Sequence, residues 1–519
     1  MGKVTSMNMT IANRRPRVDD QALILPEPFL EFRYGQSVAH PRDGLSIFGP
    51  FDADLPSHPA SISYGLVGTP EGTKAFAQFA ARIIAPVLDE DKDLDHRLWP
   101  IFPGFEAAFG AQWPSRPTSQ FVLDGNALQR AAVDRDANKR AGSVVDTYLH
   151  GIERIIAREE DVSAIICVVP DIVYLNCRPK SRVAVGTGLS LKSKEKRIRA
   201  SGQLNIFHSY NPIHYQYSVD FRRQIKARAM GLGKPIQIVR ESTLRLHDTG
   251  VPGERGLTPL SDRAWNLSLA VYYKSGGKPW RLASAREGVC YVGIAYRLAE
   301  NDKGPRTACC AAQMFLDDGD GMVFMGEYGP WYSPETKEYH LSKQAAESLL
   351  KRALQSYGEL GGRPLREVFL HCRSTIDAEE FDGFKAACPN DISFVGIRVR
   401  KEPPGGVRVF REGTRPVLRG TCWPTSERGC YLWASGFSPR LGTYDGWEVP
   451  APLRIDVQYG KADIAQVARD ILGLTKLNYN ACRIGESQPV TVGFSNAVGE
   501  ILVSNPNVKD PSRKFKFYI

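Results

Sequence analysis

Apolar and polar positions follow two different rhythms along this chain. In the first half, helical and strand periods take turns. Apolar residues recur at helical spacing through "GTKAFAQFAARIIAPVL" and again from Ser143 to Glu159 in "SVVDTYLHGIERIIARE", so each stretch predicts an amphipathic helix. The continuous apolar run "SAIICVV", ending at Pro170, predicts a buried strand. "VDFRRQIKARAMGLG" predicts a helix stopped by Gly233 and Pro235. "PIQIVR" then reads as a strand, and "AWNLSLAVYYKSGG" as a helix ending in glycines. Nearer the start, "LILPEPFLEFRYGQ" and "GLSIFGPFDADLP" carry short strand signals broken by Pro and Gly turns.

From Gly288 the rhythm changes. Three strands come in series, "CYVGIAYRL", "ACCAAQMFL" and "GMVFMGEYG", and a helix follows in "SKQAAESLLKRALQSYGEL". Next come the strand "LREVFLHC", the helix "AEEFDGFKAAC" and the strands "DISFVGIRVR", "VRVFREG" and "CYLWASG". Helices "DIAQVARDILGLTKL" and one after Pro489 close the pattern.

The first order, strand–helix–strand–helix, predicts a Rossmann-like three-layer unit. The second, three meandering strands and then alternating helix and strand, predicts an RNase H-like unit. The expected fold class is therefore α/β: a Rossmann-like domain, then an RNase H-like domain, with an N-terminal α+β extension. The expected divisions are a flexible N-terminus over 1–24, a segment over 25–160 packing on both domains, the first domain over 161–284 and the second over 285–519. At ~150 residues per domain, 519 residues suit this plan. Hydrophobic content of 42% with 24% charged residues predicts a folded, soluble chain. No uninterrupted apolar run reaches the ~18 residues of a membrane span, and the polar first residues lack the apolar core of a signal peptide. The ten cysteines form no C-x-x-C pair, which argues against structural zinc and for buried free thiols in a reducing cytoplasm.

A net charge of +10 points toward a polyanion partner. Between Arg178 and Arg199 the only acid is Glu195, and Lys192, Lys194, Lys196, Arg197 and Arg199 stand close together. This Gly/Ser/Lys-rich loop reads either as solvated surface or as a contact to a phosphate backbone. A second set is sharper. Arg222 and Lys226 are four apart on one predicted helix and share a face. Gln237 lies on the next strand, and Lys274 in the last turn of the next helix. A Rossmann-like layer brings these places together, and cations with an amide would bind a terminal phosphate dianion. Spacing alone does not separate such a set from an ordinary basic helix surface.

The order "DFRRQIKARAMGLGKPIQIVRESTL … AWNLSLAVYYKSGGKPWRL" closely resembles the MID domain of prokaryotic Argonautes. "GVCYVGIAYRL", "TACCAAQMFLDDGDGMVFMGEYGPWY", "LREVFLHCRSTIDAEEFDGF" and "LTKLNYNACRIGESQPVTVGFSNAVGEIL" resemble a PIWI domain. With "EPFLEF", "DGLSIFGPF" and "IFPGFEAAFG", they make nearly the whole chain similar to a short prokaryotic Argonaute. The resemblance makes 161–284 the MID domain and 285–519 the PIWI domain. It implies that Arg222, Lys226, Gln237 and Lys274 grip a guide's 5′ phosphate. It also implies that the carboxylate of Ile519, at the tip of "KFKFYI", joins them with a structural Mg²⁺.

Cutting members of that family hold two Mg²⁺ ions on acids for in-line attack on a phosphodiester. Here the corresponding positions fall on Ala295, Arg373 and Asn496. Alanine offers no ligand atom and arginine repels a cation, so the resemblance implies a chain without cleavage activity. It further implies a guide RNA, a single-stranded DNA target and a separate APAZ-domain protein carrying the effector, with a higher oligomer formed on activation. This chain most resembles those paired with a TIR NAD⁺ hydrolase; nuclease or sirtuin-like effectors share many of its motifs. The implied role is prokaryotic defence against plasmids or phage by abortive infection. An active nuclease with displaced ligands is the alternative, and it needs an acid from elsewhere for each vacancy. His208, Ser209, His214 and His371 form no evident triad. Trp265, Tyr272, Tyr273 and Trp280 read as core, or as a place for one base to stack.

Overall fold

The computed structural model describes residues 22–88, 95–183, 214, 217–247, 256–298, 308–315, 321–328, 330–359, 364–444, 446, 448–504 and 514–519. The basic loop from Lys192 to Arg199 lies outside the described residues, as does most of the expected N-terminus 1–24.

A four-stranded parallel sheet organises the first half, in the order Ser119–Val122, Tyr64–Gly68, Ala164–Val169, Ile236–Arg240. Parallel neighbours need crossovers, and helices supply them. In chain order, Pro70–Arg82 lies between this sheet's first two strands, Ala137–Ile156 precedes its third, and Phe221–Ala229 precedes its fourth. Every residue of Ala164–Val169 is buried, as a parallel strand covered on both faces requires. On one face Ile165, Cys167 and Val169 pack with Val145, Tyr148 and Ile225; on the other Ile166 and Val168 pack with Phe76 and Phe79. These are the three layers expected from the sequence. The expected division at residue 160 falls inside this sheet, because Tyr64–Gly68 hydrogen-bonds directly to Ala164–Val169. Residues 64–156 thus contribute strands and helices to the same sheet rather than only packing on it.

The second half carries a nine-stranded sheet. One end of it is an antiparallel meander of Val289–Leu298, Ala308–Phe315 and Gly321–Tyr328. Glu367–Cys372 pairs in parallel with Val289–Leu298, and Ser393–Lys401 in parallel with Glu367–Cys372. This is the RNase H-like order. Beyond it, Leu453–Tyr459, Gly429–Leu432 and Thr421–Ser426 extend the sheet, and Leu23–Ile24 closes its edge. Two of these strands, Thr421–Ser426 and Leu453–Tyr459, were not evident from periodicity. "VRVFREG", which alternates like a strand, forms none: it belongs to an irregular connection between Lys401 and Thr421. "GLSIFG" is likewise helical, Pro41–Ile47, because His40 caps it and Pro41 opens its first turn.

The N-terminal extension is stitched across both halves. Leu30–Glu31 pairs with Ser37–Val38 and with Arg281–Leu282, which lies between the two domains. Glu27 is gripped by Arg419 at 2.9 Å and by Lys476 at 2.7 Å. The eight cysteines whose side chains are described are all buried and free of disulfides.

Helix Val490–Leu502 packs against strand Val289–Leu298 at Gly293, where an added Cβ would stand 1.8 Å from the Thr491 carbonyl oxygen. Gly293→Ala is therefore expected to destabilise the chain by about 1–3 kcal/mol or more, read as a lower urea midpoint. Gly358, in helix Lys343–Glu359, has open space around its Cβ position. Gly358→Ala should instead be neutral or stabilise by up to about 1 kcal/mol.

Candidate nucleic-acid interface

Asp220 caps helix Phe221–Ala229 through the Arg223 amide, at 3.1 Å. The helix aims two cations toward one cavity of about 650 Å³, lined by Arg222, Lys226, Gln237 and Ile519 among others. Lys226 is only 4% exposed, and its Nζ donates to the Tyr518 carbonyl at 3.0 Å. Gln237 is held on strand Ile236–Arg240. Its side-chain oxygen accepts from Lys274 Nζ at 2.5 Å, and Lys274, the last residue of helix Leu260–Lys274, is 1% exposed. The Lys274 carbonyl in turn accepts from Lys516 Nζ at 3.2 Å. Four of the five residues singled out from the sequence thus line one cavity, and the fifth, Lys274, is bonded to one of them, Gln237.

The electrostatics of this wall are unusual. Both buried ammonium groups have neutral acceptors, a carbonyl and an amide oxygen. Burial, and then the charges of Arg222 and Lys274, hold Lys226 well below the usual lysine range. Burial, and then Arg222, bring Lys274 down to about 7. Positive charge desolvated without an anion is costly, and a dianion entering the cavity would offset that cost. A Mg²⁺ ion needs oxygen ligands. A carboxylate at Ile519 would be a suitable donor, but the surrounding cations repel a bare ion, so a metal would fit here only together with an anionic phosphate.

The rest of the cavity lining holds residues not singled out with this set. Tyr174 lies between two guanidinium groups, with Arg240 3.9 Å and Arg178 4.8 Å from its ring centre. Arg240 is paired with Asp171 at 2.6 Å. Arg178 Nε is buried without a hydrogen-bond partner. Arg178 had appeared in the sequence only as the first member of a basic run. Its place in this lining depends on the short helix Asp171–Asn176, which no periodicity announces.

The PIWI-like positions lie elsewhere. Cys372 pairs with Ile294, so the next residues along the same register are Arg373 and Ala295. Ala295 is buried in its strand and Arg373 is exposed. Asn496 belongs to helix Val490–Leu502, and its side chain is outside the described residues. His371 Nδ1 is 2.9 Å from the Thr491 hydroxyl, and burial pushes its imidazole down to about 3. Trp265, Tyr272, Tyr273 and Trp280 are buried in the core.

No family model and no curated protein matches this chain. Solved structures do. Clostridium butyricum Argonaute, bound to a guide DNA and a 19-mer target DNA, matches with a TM-score of 0.60 at 15% identity, over 96% of this chain and 55% of that one. Aquifex aeolicus Argonaute matches with a TM-score of 0.55 at 13% identity, over 95% and 55%. The fold is Argonaute-like. At these identities the likeness concerns the fold alone, and the chain spans about half the length of the Argonautes it matches. Within this Argonaute-like fold the basic cavity is lined by the Rossmann-like domain together with Asn480, Arg483 and Ile519 of the second half, and Ala295 and Arg373 sit in the RNase H-like domain. Among the described residues no helix is long and apolar enough to cross a membrane.

Replacing Lys226 and Lys274 together by alanine should weaken binding of a 5′-phosphorylated oligonucleotide about a hundredfold, at ~1.5–3 kcal/mol per charged contact, while 5′-hydroxyl binding changes little. Fluorescence titration of both oligonucleotides checks this. The same titration should show phosphate affinity falling as pH rises above about 7, where Lys274 loses its proton. Calorimetry in buffers of different ionisation enthalpy should then record proton uptake on binding.

Proposed function

We propose that this chain is a guide-binding short Argonaute that recognises nucleic acid without cutting it. The observation that carries the reading is the convergence of Arg222, Lys226, Gln237 and Ile519 on one cavity, with Lys274 bonded to Gln237. The ligand is the 5′ phosphate of a guide RNA, held by charge-assisted hydrogen bonds. A Mg²⁺ ion, held with the phosphate by the Ile519 carboxylate, would supply countercharge there.

The target is a complementary single-stranded DNA. Ala295 provides no metal ligand, and Arg373 puts a cation where a cutting site needs an anion. The product of recognition is therefore a change of shape. A paired guide and target form a stiffer helix than a lone guide, and that difference supplies the free energy a switch needs. The output belongs to an APAZ-domain partner in the cytoplasm, with TIR NAD⁺ hydrolysis as the effector activity, in defence against plasmids or phage. Activated complexes assemble into higher oligomers.

With guide loaded, neither Mg²⁺ nor Mn²⁺ should support target cleavage; reproducible cutting opposite one guide position would overturn this. With the partner added, NAD⁺ loss should follow complementary DNA and not scrambled DNA. Equal NAD⁺ loss with both would reject recognition as the trigger. Degraded DNA with intact NAD⁺ would assign a nuclease effector instead.

A further inference from the structure

Resting on the guide-binding reading above, we infer that Arg373 and the loop 402–416 form a second nucleic-acid contact, for the target strand. In it, arginines meet phosphates and Phe410 stacks on an unpaired base. Sheet direction places the pieces together. Glu367–Cys372 and Ser393–Lys401 run parallel, so Arg373 and the residues after Lys401 leave the sheet at the same edge. Lys401 pairs with Leu453, Leu453 with Leu432, and Leu432 with Cys422. The connection from Lys401 to Thr421 therefore begins and ends at that one edge, where the C-terminal ends of Glu367–Cys372 and Ser393–Lys401 lie. Connections of this length without regular structure are uncommon and usually functional.

The chemistry of the loop suits a nucleic-acid strand. Lys401, Arg408, Arg411 and Arg415 face only Glu402 and Glu412 as acids in the same stretch. Arg411 and Arg415 lie over the Phe437 ring at 5.8 and 4.6 Å, which leaves their charge available to an outside anion. Phe410 is 75% exposed, the most exposed of the large apolar side chains among the described residues. A lone exposed phenylalanine means little. One flanked by arginines, at the edge that carries Arg373, matches the pairing of stacking platform and basic track that binds single strands.

The test uses the full chain loaded with a 5′-phosphorylated guide. A complementary DNA extending past the guide is compared with one trimmed flush. Phe410→Ala and the combined Arg408→Ala, Arg411→Ala, Arg415→Ala variant should load guide as the native chain does. Phe410→Ala should release the extended DNA about tenfold faster and the flush DNA unchanged. The arginine variant should flatten the dependence of target binding on salt, and Arg373→Ala should lower that slope by about one. Unchanged release and unchanged slopes, with normal guide loading, would overturn this inference alone. If the native chain loads no guide, the guide-binding reading fails. The loop is then judged by direct binding of single-stranded DNA, and equal binding by all variants overturns it too.

Discussion

The buried bond from Lys226 to the Tyr518 carbonyl sets the arrangement of this molecule. It ties a helix of the Rossmann-like domain to the last residues of the sequence, where Phe515, Phe517, Tyr518 and Ile519 are all buried. A carbonyl does not repay the loss of hydration of an ammonium group. The packing of the apolar tail has to carry that cost. Lys274 repeats the pattern against Gln237, and Arg222 adds a third positive charge nearby. The folded chain thus spends part of a marginal stability on holding a cationic cavity before any ligand arrives. Such preorganisation is what lets an anion bind without a further ordering cost.

The RNase H-like domain joins close packing to an unbalanced charge pattern. Gly293 permits a helix to approach a strand closely, and His371 bonds to Thr491 across that contact. Beside them stand Ala295 and Arg373, an apolar residue and a cation. Packing of this kind depends on volume and tolerates a change of charge at a neighbouring position. A metal site does not, because its affinity resides in the ligand atoms. Fold and chemistry are therefore separable here, and a fold likeness to Argonautes leaves the reaction to be argued from particular residues.

Much of this was legible in the sequence. Helix and strand periods located Phe221–Ala229, Ile236–Arg240, Leu260–Lys274 and the central strands from Val289 onward, since burial of one face imposes period on the chain. The spacing of Arg222 and Lys226 already put them on one helix face. The alternation in "VRVFREG" misled, because an exposed loop can alternate without any partner strand. The boundary at 160 misled for a related reason: a parallel sheet joins segments far apart in sequence, and no local pattern records which strands are neighbours.

By itself, then, the sequence determined most of the elements, the two-domain α/β plan, the basic character of the chain and the identity of Ala295 and Arg373. The tertiary structure decided what those residues meet. It brought Ile519 and Lys226 to one cavity, buried both lysines against neutral acceptors, and set Tyr174, Arg178 and Arg240 in the same lining. It also began and ended the loop after Lys401 at the edge that carries Arg373. Periodicity reports the face a residue presents, which is a local property of the backbone. Desolvation and the meeting of charges depend on atoms contributed by distant parts of the chain, and only the folded packing fixes them.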